Sequence, residues 1–294
     1  MNPASPFPYY GTYINLDRSV GRRTFMEAQL DKYGLTHRYR RFCAVDGSSA
    51  AMPASAKIQP GESAAFLSHM RALEEARSRK SQVHILEDDA LLSQHLQPVL
   101  DEAIARGLLD RFDILFTDTF VSPHLGMLKA LKSSFDKIAT PAHGLRLSDM
   151  QVLDLAQHNF ACLTSYIVAA RSIERVVDLY RMEWHNGPAK PADLFIRDCV
   201  LAGKLRAALL FPFVTGFRLD EVAASTIAAG TSLTGPSVMV LAVLRYLFFV
   251  GRDLDFAKSC LDAATRENRR TTNRHHDMIV QALEFVLSDD FQQF

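Results

Sequence analysis

Apolar and polar positions along this chain switch between a period of two and a period near 3.6, and each switch marks an element. Thr12–Leu16 (TYINL) follows a Pro-rich lead and reads as a strand, broken at Asp17, Arg18 and Ser19. Arg22–Tyr33 places Met26, Leu30 and Tyr33 on one helical face, with Gly34 where a C-cap belongs. Phe42–Val45 predicts a second strand that ends at the Asp46-Gly47 turn signal. Strand, helix and strand at this spacing form a βαβ unit, whose crossover is right-handed. Ser48–Gln59 is small and polar and reads as a surface loop. Pro60-Gly61-Glu62 opens a helix that runs to about Ser78, with Phe66, Met70 and Leu73 on one face and Glu62 complementing the dipole.

The stretch that organises the chain is Gln82–Leu92 (QVHILEDDALL). Val83, Ile85 and Leu86 suit a buried strand of a mainly parallel sheet, and the run stops at Glu87, Asp88 and Asp89. Three adjacent carboxylates repel one another unless water, basic side chains or a cation compensates. Open α/β sheets bind ligands at this strand edge. A hard divalent cation shared with a substrate's phosphates is an apt occupant, and a solvated acidic turn is the plainer reading. Asp88 is expected to face away from its neighbours, because alternate residues of an extended segment point to opposite sides.

Further on, Gln94–Ala105 predicts a helix and Phe112–Phe116 a buried strand with Asp113 at its start. Between Val121 and about Gln157, Pro123, Gly126, Pro141 and Gly144 interrupt the pattern, which implies loops or short strands. Leu163–Ala169 reads as a strand, and Ile173, Val176, Val177 and Tyr180 as one face of the next helix. His185–Lys190 is a turn, Pro191–Cys199 mixes acids with apolar residues, and Leu209–Val214 is a candidate strand. Pro236–Val250 is strongly apolar, but it contains Arg245 and falls short of the roughly 20 residues a membrane span needs. It reads as a core or dimer helix, with a peripheral membrane contact as the other reading. Asp253–Arg266 and His276–Leu287 predict two more helices. The whole is an α/β chain, divided as a main domain over 1–230 and a helical extension over 231–294.

Composition narrows the picture. Apolar residues make up 48% and charged residues 22% of 294, enough for a sizeable core. Lys plus Arg equals Asp plus Glu, 33 each, which argues against a nucleic-acid binder. Cys43, Cys162, Cys199 and Cys260 are scattered, with no CxxC pair, which suggests neither a zinc site nor a disulfide framework and fits a reducing compartment. The N-terminus lacks the basic and apolar regions of a secretory signal, so a cytoplasmic location is expected.

Four separated pieces stand in a telling order: YINLDRSVGRR at Tyr13–Arg23, FCAVDG at Phe42–Gly47, PGESAAFLSH at Pro60–His69 and ILEDDA at Ile85–Ala90. Together they resemble glycosyltransferase family 25, the lipopolysaccharide and collagen sugar-transferase group. SYIVAARSIERVV at Ser165–Val177 and PADLF at Pro191–Phe195 look like later segments of the same family, so the resemblance runs over roughly Thr12–Ile227. It implies a GT-A-like nucleotide-sugar fold, a divalent metal (manganese, or magnesium) and transfer with inversion, most often of galactose from UDP-galactose. Two departures stand out. Ala64-Ala65 lies where many relatives carry Gly-Cys, and Ala161-Cys162-Leu163 replaces a glycine just before the later strand.

On that resemblance, Asp89 ligates the metal, Glu87 is a second metal residue or contacts the ribose indirectly, and Asp88 counts among the donor-binding residues. Transfer also needs a base for the acceptor hydroxyl. Asp193 is the candidate, with Asp198 in reserve, although Asp193 is equally suited to capping the Leu194–Leu201 helix. Asn15, Asp17 and Arg18 end the first strand on the same sheet edge and are placed for the nucleotide, with Arg18 or Arg22 toward phosphate. Asp46 either binds uridine or simply makes the Asp-Gly turn. His69 is either a buried, hydrogen-bonded histidine or a donor ligand. The partners implied are a nucleotide-sugar donor, a glycan or glycolipid acceptor, a peripheral inner-membrane contact and a homodimer through the C-terminal helices. The basic cluster Arg266, Arg269, Arg270, Arg274, His275 and His276 is either a solvated face or a contact for anionic lipid. A non-catalytic sugar-nucleotide-binding protein that keeps the fold is the alternative from another class.

Overall fold

The computed structural model describes residues 7–48, 57–121, 144–224 and 236–268. Most of the expected Ser48–Gln59 loop, much of Val121–Gln157, the basic cluster beyond Asn268 and the His276–Leu287 helix lie outside the described residues, as does the expected domain boundary at 230.

A seven-stranded sheet in the order β2-β1-β3-β7-β5-β8-β6 forms the middle layer. Its strands are β1 (Tyr9–Asn15), β2 (Tyr39–Cys43), β3 (Gln82–Glu87), β5 (Ile114–Val121), β6 (Gln151–Asp154), β7 (Phe160–Val168) and β8 (Ala207–Phe211). Five strands point the same way, while β7, wedged between β3 and β5, and the edge strand β6 run opposite. A mainly parallel α/β sheet is therefore what the chain adopts, and the antiparallel β7 is the feature periodicity does not reveal. Two short strands, β4 (Ala90–Leu92) and β9 (Thr215–Phe217), pair antiparallel beside it.

Alternation along the strands feeds two cores. Val83, Ile85, Ile114, Phe116, Tyr166 and Leu209 face one side, against α2 (Pro60–Ala76), α5 (Ile173–Asn186) and α6 (Ala192–Leu201). There Phe66 meets Tyr180 and Phe195 with ring centroids 4.9 and 5.4 Å apart. Leu86, Leu115, Ile167 and Leu210 face the other side, against α1 (Val20–Lys32), α3 (Leu96–Ala105) and the single turn α4 (Leu108–Arg111). The predicted helical faces are buried as expected: Met26 and Leu30 on α1, Phe66, Met70 and Leu73 on α2, and Val176, Val177 and Tyr180 on α5.

Helices α7 (Pro236–Leu247) and α8 (Leu254–Asn268) lie against this body. Phe248 enters the first core beside Phe211 and Phe213, and Val243, Tyr246, Leu247 and Phe249 form a smaller core with Phe217 and Leu219. The apolar Pro236–Val250 stretch is thus a helix packed on its own chain. Among the described residues no helix is long and apolar enough to cross a membrane.

One polar thread crosses the sheet interior. The Tyr39 hydroxyl reaches His84 Nδ1 at 2.6 Å, His84 Nε2 reaches Ser165 Oγ at 3.0 Å, and the chain continues through Thr117 to Thr215. Gly11 makes this possible, since a Cβ there would sit 2.0 Å from the Tyr39 ring. Strand β2 therefore starts at Tyr39, three residues before the sequence expectation, because this aromatic must pair beside β1. His84 is fully buried, and burial pushes its pKa down to about 3. The unfolded chain binds this proton near pH 6.5 and the folded one does not, so stability is present above that pH and lost as pH falls toward 3. This residue alone removes about 2 kcal/mol between pH 7 and pH 5. Urea unfolding of wild type and His84→Gln at the two pH values checks this, because the difference between the two proteins isolates the histidine: wild type should lose about 2 kcal/mol relative to the variant on going from pH 7 to pH 5.

Candidate active site

The acids stand where the strand order turns. From β1 the chain steps outward to β2, then crosses back through α2 to β3, which leaves a crevice at the carboxyl ends of β1 and β3. Glu87 ends β3 on the α2 side of the sheet. Its carboxylate meets His69 Nε2 at 3.3 Å and the Thr164 hydroxyl at 3.4 Å. A carboxylate only accepts, so His69 donates through Nε2, and in the neutral ring Nδ1 then accepts from the Tyr166 hydroxyl at 3.0 Å. His69 is thus a buried histidine that orients Glu87, which is the first of its two expected readings. Burial pushes the Glu87 pKa up, but His69, Arg245 and Thr164 outweigh it and hold the group below the ordinary range.

Asp88 turns to the opposite side, as strand alternation requires. It accepts from Asn15 Nδ2 at 2.7 Å and from Arg22 Nη1 at 3.1 Å. Asn15 in turn accepts from Arg41 Nε at 2.9 Å, and Arg41 also pairs with the exposed Asp17. Arg22 continues to Glu221 at 2.7 Å, and Glu221 to Arg218 at 2.8 Å. Arg18 pairs with Asp46, whose carboxylate also accepts from the Ser48 backbone and hydroxyl, so Asp46 does form the expected turn. On one bank of the crevice Asn15, Asp17 and Asp88 are therefore joined through Arg41 and Arg22, and Arg18 and Asp46 form a further pair.

Asp89 lies between the banks. Arg22 Nη1 is 3.9 Å from its Oδ2, while Oδ1 is buried with no hydrogen-bond partner among the described residues. Burial pushes its pKa up to about 7, with the charge of Glu87 adding to the effect. The antiparallel β4–β9 pair fixes the residue behind the acids, and the Arg218 N–H donates to the Asp89 carbonyl at 3.2 Å.

The other bank holds two acids. Asp118 on β5 is fully buried and ion-paired with Arg245 of α7. Asp193 sits in the first turn of α6, not in an extended segment: Pro191 occupies the N-cap, and the helix begins at Ala192. Its carboxylate accepts from the Leu194 N–H at 2.8 Å, and Oδ2 reaches the Cys162 N–H at 2.8 Å. Asp193 is therefore not the N-cap of this helix, and its carboxylate instead ties the first turn of α6 to β7. Cys162 has φ +76°, in the left-handed region that glycine adopts freely and cysteine only under strain. Burial pushes its thiol up to about 12, which makes it an inert group. Asp198 faces away from the crevice, paired with Lys190 at the surface.

Glu87, Asp89 and Asp118 thus lie within electrostatic reach of the Arg245 guanidinium, Asp89 also faces Arg22, and Asp193 is tied to β7 through the Cys162 N–H. Among the described residues no group of three or more His, Cys, Asp or Glu side chains converges as a ready metal cage. The donor set still suits a hard cation held by two carboxylates and completed by substrate phosphates, and the partnerless Asp89 Oδ1 is the atom such an ion would satisfy. Asp118, Thr164, Arg41 and Arg245 were missed in the sequence. Two signals existed: the polar Thr117-Asp118-Thr119 inside a buried run, and Arg245 as the single charge in Pro236–Val250.

No curated protein matches the chain. The family model for glycosyltransferase family 25 (LPS biosynthesis protein) matches residues 12–196, more than half of the chain, and runs from within β1 to the middle of α6, taking in Glu87, Asp89 and Asp193. The chain belongs to glycosyltransferase family 25.

Proposed function

We propose that this glycosyltransferase moves a hexose, galactose from UDP-galactose, onto a lipopolysaccharide or other glycan acceptor by a single inverting displacement with a GT-A-like, metal-assisted donor site. The observation that carries the reading is the Glu87–Asp89 pair at the crevice, with the buried, partnerless Asp89 Oδ1. A divalent ion held by Asp89 and Glu87 would supply Lewis-acid stabilisation of the departing diphosphate. His69 and Thr164 hold Glu87 ionised and oriented, so it enters the reaction without reorganising. Arg22 in the first turn of α1, and Arg18 in the turn that precedes the helix, offer guanidinium groups toward donor phosphate or ribose.

On the other bank, Asp193 serves as the general base. Each of its oxygens accepts one backbone N–H, which leaves a lone pair on each for an acceptor hydroxyl. As the acceptor oxygen bonds to the anomeric carbon, its proton passes to Asp193. The bond from that carbon to the diphosphate breaks, and its electron pair leaves with the nucleotide. One displacement of this kind inverts the anomeric centre. A panel of UDP-, GDP- and CMP-sugars, with and without manganese and candidate glycan acceptors, tests the reading through nucleotide release. Release from UDP-galactose that requires manganese and rises with acceptor supports it, and silence across the panel overturns it.

A further inference from the structure

Arg245 comes from α7, beyond the family-matched residues, yet its guanidinium ends in the candidate active site. Nε donates to Asp118 Oδ1 at 2.8 Å, and Nη2 to Asp118 Oδ2 at 2.6 Å and to the Thr164 hydroxyl at 2.8 Å. Its Cζ lies 4.3 Å from the Phe217 ring centroid, and only 8% of the residue is exposed. Thr164 then passes its own proton toward Glu87 Oε2 at 3.4 Å.

We propose that Arg245 is a positioning residue for sugar transfer: through Asp118 and Thr164 it sets the Glu87 carboxylate, so α7 is part of the catalytic centre. This rests on the reading of Glu87 and Asp89 as the donor site. A buried ion pair is weak evidence for stability, because an apolar pair of similar volume holds a fold as well or better. Here the helix has other anchors. Phe248 sits between Phe211 and Phe213, and the Phe213 and Val250 N–H groups bond the Phe248 and Phe213 carbonyls at 2.8 and 2.9 Å. A charge is therefore kept where anchoring does not need one. The planar fork is what the geometry uses: Nε and Nη2 grip the two Asp118 oxygens side by side while Nη2 also turns an N–H to Thr164, a spacing that the single nitrogen of a lysine does not reproduce.

The test is the pair Arg245→Lys and Asp118→Leu/Arg245→Met in the full-length protein, read by thermal unfolding, by UDP-galactose kinetics with manganese, and by crystal structures. The expected result is a melting temperature close to wild type in the double variant. kcat for UDP release falls on the order of 10- to 100-fold in both variants, the range for groups that orient ligands, with KM for UDP-galactose little changed. Thr164 and Glu87 leave their wild-type rotamers while β3 and β7 stay in place. Should the double variant fail to fold, Arg245→Lys carries the same kinetic comparison. Wild-type kcat in Arg245→Lys, or unmoved Thr164 and Glu87 side chains, overturns the proposal alone. A wild-type protein that releases no nucleotide from any sugar donor overturns the donor-site reading, and this proposal with it.

Discussion

Asp89→Ala is expected to lower sugar transfer by on the order of 10³-fold, the loss of several kcal/mol of charge stabilisation at the leaving diphosphate. The fold should survive, because nothing structural hangs on this side chain. Its Oδ1 has no hydrogen-bond partner among the described residues, and the nearest cation to Oδ2 is Arg22 at 3.9 Å. Its raised pKa gives a second, independent signature. Between the ordinary aspartate value and about 7 the folded protein holds a proton that the unfolded chain has released. Stability from this group is therefore present at low pH and lost as pH rises through 7. A neutral residue at 89 removes that loss, so Asp89→Asn should melt at or above wild type at pH 8 without added metal. Manganese should reverse the order, raising the wild-type melting temperature more than the variant's. Differential scanning fluorimetry at pH 5.5 and 8, with and without manganese, reads all of these.

The second large effect concerns Asp193→Asn. A base that acts only in the transition state should cost turnover and leave donor affinity alone. We expect UDP binding within a few-fold of wild type and kcat reduced by roughly 10²-fold or more. The structure adds a control. Asp193 also holds the Cys162 N–H at a left-handed residue, so a relaxed turn is a second route by which activity falls in this variant. Cys162→Gly relieves that backbone strain without touching the carboxylate. Combined with Asp193→Asn it should restore stability and leave kcat low. Asp198→Asn should be close to wild type, since Asp198 pairs with Lys190 at the surface. If Asp198→Asn is inactive while Asp193→Asn transfers normally, the base is Asp198 and the crevice has been drawn around the wrong acid.

How much of this was legible in the sequence depends on the range of the contact that decides each feature. The Gln82–Glu87 strand, the helical faces of α1, α2 and α5, and the opposite facing of Asp88 follow from local periodicity, and all are present. Strand β2 was placed three residues late because Tyr39-Arg40-Arg41 looks polar, and only the pairing of Tyr39 with His84 across the sheet explains its start. β6 lies in a stretch broken by Pro and Gly, and its partner β8 is more than fifty residues away. The antiparallel β7 is a matter of topology, which a run of apolar residues does not encode. At the site, the acids after β3 carry a local signal, whereas the Asp118–Arg245 pair joins residues 127 apart. Each half looked incidental alone: a polar interruption in a buried strand, and a charge that argued against a membrane span.

Turnover of UDP-galactose by the wild-type protein, followed through chelation and manganese add-back, tests the central claim most directly. The account predicts that EDTA abolishes UDP release, that manganese restores it, and that Asp89→Ala is unresponsive to either. Wild-type activity undiminished by EDTA would contradict it.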